Sequence, residues 1–404
     1  MAGRQRRWAI VWCLFLSTVI NYINRQTLSV LAPVISKEFA LTHTQLSQIF
    51  GAFQISYAGT WLLGGVFLDL VGTRIGLSIA VVWWSVVSLA TVFVGSASML
   101  ASMRFLLGIG EGLNWPGASK AVAEFFPPQE RSVAVAIFDS GSSVGGAIAA
   151  LSIPWIAIQF GWRAAFGFSG MLGFFWLVLW LLVYRRRPVT ENQPAVARPT
   201  WASWPRMLRR RETWAIVAGR SLTDPIWWFY VFWLPQYLSD ARGFSLKQIA
   251  AFAWIPFVAA DAGNFAGGFA SSFLIKRGMP VMLARKYVCI VSAVPMLAGI
   301  PAALVTSSLW SLALICFALF GYASWSTMGL TLPSDLFSPD IVASVTGLSG
   351  FGAGLAGTGF TLLIGWMVDR FSYFPAFAIA ALAPLLATAC IVFLIRSTDG
   401  VVAE

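Results

Sequence analysis

The sequence predicts an all-α membrane protein, twelve transmembrane helices in two six-helix bundles, and three observations predict it. Charged residues make up 11% of the 404, hydrophobic ones 58%, and the mean hydropathy is +0.77. Soluble domains carry about 25% charged residues, so this chain has too little polar surface to cover a soluble globule. A soluble enzyme and a disordered protein are both excluded. Second, mostly apolar runs of about 20 residues, the length that crosses a bilayer, recur along the whole chain. Third, the basic residues crowd into the loops that successive crossings place on one side.

Breaking the apolar runs at charged or Gly/Pro-rich turns places the first six spans at residues 8–35, 45–68, 75–96, 98–122, 131–158 and 163–184. The next six fall at 213–238, 248–275, 283–305, 309–334, 341–368 and 373–396. Residues 1–184 are therefore the N-terminal bundle, 185–212 a cytoplasmic central loop rich in Arg, Pro and Thr, and 213–404 the C-terminal bundle. The first run follows Arg4, Arg6 and Arg7 as in a signal peptide, but it continues past any plausible cleavage site to about Ile35, so a retained span is expected. With both termini cytoplasmic, most of the 27 basic residues fall inside, among them Arg74, Arg131, Arg185 to Arg187, Arg209 to Arg211, Lys276, Arg277, Arg285 and Lys286. Lys37, Arg163, Arg242, Lys247 and Arg370 fall outside. That bias obeys the positive-inside rule. It also turns the net charge of +11 into a topology signal and removes a nucleic-acid partner. Cys13, Cys289, Cys316 and Cys390 are widely spaced within apolar runs, which predicts neither disulfide nor metal site.

After the second span the sequence reads Gly65-Val-Phe-Leu-Asp69-Leu-Val-Gly72-Thr-Arg74. A weaker echo, Gly268 to Gly278 with Lys276 and Arg277, follows the eighth span. The first resembles the signature loop of the major facilitator superfamily, G-x-x-x-D-x-x-G-x-R, with Leu70 where a basic residue is usual. The resemblance implies two bundles facing each other across a midplane site, with Asp69 and Arg74 in a gate.

Charges within a span cost about 2.5–3.5 kcal/mol each on insertion scales, so each needs a reason. Here they are Arg25, Arg104, Glu111, Asp139, Arg220, Asp224 and Asp261. Arg25 lies deep in the first span beside Asn21, Tyr22 and Asn24, and its guanidinium can hold a carboxylate through two parallel hydrogen bonds. A permanent structural pair with Glu111 is the alternative. Arg104 and Glu111 sit two helical turns apart on one face, with Gly108, Gly110 and Gly112 permitting close helix approach. A carboxyl group in a low-dielectric interior is costly to keep charged, which suits Glu111 to taking a proton on one side and releasing it on the other. Arg104 reads equally as a functional group or a structural one. Proline after Asp224 predicts a broken seventh helix. Trp227, Trp228 and Tyr230 beyond it, and Trp325 and Ser326 in the tenth span, could face a sugar ring or serve as packing. Asp261 and Asn264 share a face and read as an interhelical clasp, with pocket hydroxyl ligands as the alternative, Asp335 ends a helix as a gate or loop cap, and His43 belongs to an outer loop.

Asn21-Tyr22-Ile-Asn24-Arg25, the Arg104 to Glu111 spacing and Asp139-Ser-Gly-Ser142-Ser-Val-Gly145 resemble the anion:cation symporter family. Asp224-Pro-Ile-Trp227-Trp228-Phe-Tyr230 and Leu332-Pro-Ser-Asp335-Leu-Phe resemble its hexuronate branch. The resemblance implies that Arg25 binds a sugar-acid carboxylate, that Tyr22 and Tyr57 line the pocket with Ser142 near them, and that Glu111 is protonated. Many members carry Asp where this chain has Asn24, and Asn where it has Asp139, so Asp139 either replaces that acid across the cavity or pairs with Arg25 or Arg104.

The expected function is proton-coupled symport of a hexuronate into a bacterial cell through the inner membrane, by a monomer without cofactors. Import of an aldonate or aldarate such as galactonate or glucarate is the alternative. A membrane enzyme would need a metal cluster or an activated nucleophile, and neither constellation is in the sequence.

Overall fold

The computed structural model describes residues 2–126, 128–184, 204–337 and 339–396, which are helical almost throughout, with no strand among them. Residues 185–203 of the expected central loop lie outside the described residues, as does the Asp69 side chain. Each of the twelve expected spans falls on one helix or on two in tandem. The first six are α1 (Ala2–Glu38), α2 (His43–Val71), α3 (Thr73–Ala90), α4 (Ala97–Glu111) with α5 (Asn114–Phe125), α6 (Pro128–Phe160) and α7 (Trp162–Val183). After the short α8 (Trp204–Arg209) come α9 (Arg211–Asp240), α10 (Leu246–Phe252) with α11 (Ile255–Lys276), and α12 (Val281–Met296) with α13 (Gly299–Leu304). The last three are α14 (Ser308–Leu336), α15 (Pro339–Arg370) and α16 (Phe374–Leu394).

Among the described residues, eight stretches are long and apolar enough to cross a membrane by length and composition. Helix α1 is not one of them, although its 37 residues reach about 55 Å against a hydrocarbon core of about 30 Å. Polar residues from Asn21 to Gln26 interrupt its apolar run. Burial is inverted relative to a soluble protein: Phe175, Phe269, Trp310 and Phe393 are exposed, while Arg25, Arg104 and Glu111 are buried. Lipid accounts for the first group, and the cost of burying the second marks those residues as candidates for function.

Local chemistry sets the helix ends. Thr42 accepts a hydrogen bond from the Gln45 N–H at 3.1 Å, and the Gln45 side chain accepts from the Thr42 N–H at 3.0 Å, a capping box that starts α2. Ser245 and Gln248 repeat it at α10. Gly72, at φ 84°, is the single residue between α2 and α3, and a side chain there would strain the turn. At the end of α1, Glu38 accepts from the Trp162 indole and, at 2.9 Å, from Arg163. The indole hydrogen bond first, with the Arg163 contact behind it, holds this carboxyl below its ordinary value.

The seventh span corrects one expectation. Helix α9 runs unbroken from Arg211 to Asp240 through Asp224-Pro225. Proline deprives the Ser221 carbonyl of its helical donor, but a bundle can re-satisfy a freed carbonyl. The Arg220–Asp224 ion pair, one turn apart at 2.8 Å, straps the helix across that same segment. The fourth, eighth and ninth spans divide instead, the fourth between Glu111 and Asn114.

The chain forms two compact units, Met1–Val189 with Val231–Ile255, and Thr190–Tyr230 with Pro256–Glu404. Residues Val231–Ile255 belong to the first unit through particular contacts. The Ser29 hydroxyl reaches the carbonyls of Val231 at 2.6 Å and Phe232 at 3.0 Å, Phe50 stacks on Phe232 at 4.9 Å, and His43 pairs with Asp240 at 2.9 Å. Within the first unit α1 lies against α6 without side chains between them. A Cβ on Gly141 would stand 2.7 Å from the Phe15 carbonyl oxygen, and one on Gly145 2.5 Å from that of Val19. In the second unit Gly263 and Gly267 bring α11 equally close to the backbone of α14 at Phe320 and Ser324.

Candidate functional site

The first unit gathers most of its interior charge around Arg25. Its guanidinium, 1% exposed, donates from Nε to Glu111 Oε2 at 3.2 Å and from Nη2 to Asn21 Oδ1 at 3.1 Å. Three rings surround it, with centroids 4.6 Å away for Tyr22, 4.6 Å for Tyr57 and 5.1 Å for Phe53. Helix register explains the cage. Tyr22 and Asn21 lie one turn before Arg25 on α1, while Phe53 and Tyr57 lie one turn apart on α2. A cation among ring faces is held without being fully neutralised, so the site is suited to receive an anion.

Glu111 is fully buried, with Oε2 on Arg25 and Oε1 without a hydrogen-bond partner. The neighbouring glycines explain how a carboxylate comes to sit there. A Cβ on Gly108 would be 2.4 Å from the Phe53 carbonyl oxygen, and one on Gly112 3.0 Å from that of Tyr57, so α4 abuts α2. Gly110, on the other flank, sits 3.1 Å by the same measure from the Trp84 nitrogen of α3. The expected close helix approach is therefore present on both sides of Glu111. Arg104 donates to the Arg25 carbonyl oxygen at 3.4 Å and lies 5.7 Å over Phe166. It braces the α1 backbone from two turns away.

Asn24 accepts a hydrogen bond from Ser88 at 2.8 Å and donates to the Ile20 carbonyl at 3.1 Å, so the position that often carries an acid is here a neutral link between α1 and α3. Asp139 is half-buried on α6, and the Ser142 hydroxyl donates to its carbonyl at 2.8 Å. The contacts of Gly141 with Phe15 and of Gly145 with Val19 and Tyr22 set α1 and α6 parallel in register. Asp139 is then level with about residue 14 of α1, roughly 15 Å along the axis from Asn24. The two positions do not share one pocket level. Asn114, absent from the sequence argument, is fully buried between α5 and α1, accepting from Ser17 and donating to Thr18 at 3.2 Å. Its place three residues after Glu111 was the signal that could have found it. Arg74 donates to the Leu181 carbonyl at 3.1 Å, tying the signature loop to α7.

The second unit has its own ion pair. Arg220 holds Asp224 through Nε at 3.1 Å and Nη2 at 2.8 Å, and donates from Nη1 to Ser349 at 3.0 Å. Trp227 stacks on Tyr322 at 5.9 Å and Trp228 lies against Gly357, both half-buried, as is Ser326. Trp325 is fully enclosed, its indole N–H donated to Thr388 at 3.0 Å, and Tyr230 is buried against Phe229 and Phe377. Those two serve the interior of this unit. Asp335 accepts from Arg285 at 2.9 Å, and Arg285 also donates to Ser271 at 2.8 Å. The side chain of Asn264 accepts from Thr327 at 3.2 Å, a link between α11 and α14.

Removing one partner from a buried pair strands the other. Asp224→Asn should therefore lower the melting temperature of the purified protein by several degrees, while the double change Arg220→Met with Asp224→Leu should recover most of the loss. Fluorescence-monitored melting of detergent-solubilised protein checks this.

The Major Facilitator Superfamily model matches residues 14–359. The chain belongs to that superfamily. It is a multi-pass membrane transporter and not an enzyme. It is 34% identical to the hexuronate transporter of Escherichia coli strain K12 over 397 residues, which is 94% of this chain and 92% of that one. It is 30% identical to the hexuronate transporter of Bacillus subtilis strain 168, over 97% of this chain and 95% of that one. Among solved structures, a bacterial homologue of the human lysosomal transporter Spinster, inward-facing and unoccupied, superposes with a TM-score of 0.73 at 18% identity. That likeness covers 97% of this chain and 95% of the other, and it concerns the fold. The transporter thus buries Arg25, Arg104 and Glu111 together within a fold built to move solutes.

Proposed function

We propose that this transporter is a proton-coupled symporter that imports a hexuronate, such as glucuronate or galacturonate, across the bacterial inner membrane by alternating access. One observation carries the reading: a buried arginine in an aromatic cage, whose present carboxylate partner, Glu111, is bound through a single oxygen. A solute carboxylate competes with Glu111 for that guanidinium. When Glu111 is protonated it loses its charge, Arg25 passes to the solute, and the two cargoes bind together. When Glu111 loses its proton it reclaims Arg25 and expels the solute. Proton and anion are thereby linked through one guanidinium. The hexuronate transporters that align over most of the chain support the substrate class.

The remaining assignments follow from this core. Tyr22 and Tyr57 line the carboxylate site, and Ser142 on α6 is a further solute contact. Asp139 is a second protonation site nearer the N-terminal end of α1, on the route a proton takes once it leaves Glu111. In the second unit the half-buried Trp227, Trp228 and Ser326 are the groups left to meet sugar. Asp69 and Arg74, and separately Asp335 with Arg285, act in gating. Both termini are cytoplasmic, as the loop charges support, and the bundles at 1–184 and 213–404, joined by 185–212, rock as a monomer. The test is radiolabelled glucuronate uptake into proteoliposomes, competed by galacturonate, galactonate and glucarate. Saturable uptake driven by a pH gradient, with hexuronates competing best, is expected. Best competition by galactonate or glucarate would move the substrate to the aldonates or aldarates, and uptake indifferent to the gradient would remove the coupling.

A further inference from the structure

Eight polar residues of α1 between Ser17 and Ser29 are at most 2% exposed, and most are satisfied within the fold. Thr18 donates to Leu14, Thr27 to Ile23, Ser29 to Val231 and Phe232, and Asn24 to Ile20. On α2, Gln54 breaks this pattern. It is 2% exposed, and neither its Nε2 nor its Oε1 has a hydrogen-bond partner. Burying both ends of an amide without partners costs stability, and a leucine of similar volume would fill the place without that cost. Folding alone therefore gives no reason for glutamine here.

Position supplies one. Gln54 is the residue after Phe53 and lies one turn from Tyr57, the two rings of α2 that hold Arg25. Beside the same guanidinium, Asn21 Nδ2 and Glu111 Oε1 are likewise buried without partners. A donor end and an acceptor end thus occur twice in this part of the unit, once within Gln54 on the turn of α2 that carries the two rings, and once between Asn21 and Glu111 beside the cation. Adjacent ring hydroxyls have the complementary need, one accepting and the other donating. A plain carboxylate would leave both sets unmet, whereas a carboxylate carrying a vicinal diol would satisfy them.

We infer that Gln54 is a specificity residue, whose amide grips two neighbouring hydroxyls of the anion that Arg25 holds by its carboxylate. The inference rests on the sugar-acid reading above and narrows it, because it excludes unsubstituted monocarboxylates as good substrates. A site built to bond hydroxyls rejects the analogue that lacks them, since its polar groups are then left buried and unpaired.

The experiment uses the full-length transporter in proteoliposomes and compares wild type with Gln54→Leu and Gln54→Met. Inhibition of glucuronate counterflow is measured for unlabelled glucuronate and for tetrahydropyran-2-carboxylate, the same ring acid without hydroxyls. Wild type should prefer glucuronate strongly. Both variants should lose about tenfold of that preference through weaker glucuronate binding, with tetrahydropyran-2-carboxylate changed less than twofold. Ligand-free, both should melt at or above the wild-type temperature. An unchanged preference ratio, or melting several degrees lower in both variants, overturns the role of Gln54 and makes it a structural residue. Wild type that takes up neither glucuronate nor galacturonate overturns the sugar-acid reading itself, and this inference with it.

Discussion

Replacing Arg25 with lysine is expected to lower the kcat/KM of uptake by about a thousandfold while leaving a folded protein. Lysine keeps the positive charge, so the experiment isolates the shape of the cation. Arg25 uses two separate nitrogens, Nε toward Glu111 and Nη2 toward Asn21, while three rings cover its flat faces. An ammonium is a single, strongly hydrated point that cannot meet both partners and lie flat against rings. Losing one member of a buried, hydrogen-bonded charge interaction costs about 2–5 kcal/mol, and each 1.4 kcal/mol is tenfold. Initial-rate uptake by reconstituted Arg25→Lys, normalised to monodisperse protein, measures it. A fall of less than tenfold would leave Arg25 as a helix tie rather than a solute ligand.

The spans were legible because the period of the apolar runs and the one-sided placement of Arg and Lys are imposed by the bilayer, which acts on each segment separately. Arg25, Glu111 and Arg104 were legible for the same reason, since a charge inside a span stands out against its neighbours. What the sequence concealed depends on how helices meet. Pro225 read as a break because its missing N–H is a local fact, whereas the Arg220–Asp224 strap and the rest of the bundle that keep α9 continuous are not. Trp325 read as a possible sugar platform because of its mid-span position, and only the partner Thr388, 63 residues away, shows that its indole is spent inside the unit. Asp139 and Asn24 looked interchangeable in sequence. The glycine contacts between α1 and α6 fix a register that separates them by roughly 15 Å. Gln54 escaped notice entirely, because an amide in an apolar run is unremarkable until both its ends prove to be buried without partners.

Glu111→Gln should separate the two halves of the mechanism. Glutamine keeps the size of glutamate and an oxygen that can accept from Arg25 Nε, so the close passage of α4 between α2 and α3 is preserved. It cannot gain or lose a proton and carries no charge. If Glu111 links proton to solute, accumulation driven by a pH gradient should disappear, while exchange of solute for solute across the same membrane persists within about threefold of wild type. A thermal measurement gives an independent reading. Without the Glu111 carboxylate, Arg25 is a buried cation lacking its counterion, a loss that costs about 3–5 kcal/mol in comparable pairs. A bound sugar acid brings a carboxylate to that guanidinium, and anything that binds the folded state alone stabilises it in proportion to its affinity. Saturating glucuronate should therefore raise the melting temperature of Glu111→Gln by several degrees more than it raises that of wild type. A purely structural Arg25–Glu111 tie predicts the opposite: a lower melting temperature that glucuronate does not restore, and exchange lost together with accumulation. If gradient-driven accumulation survives the substitution, coupling passes through another carboxylate, and Asp139 is the next residue to replace.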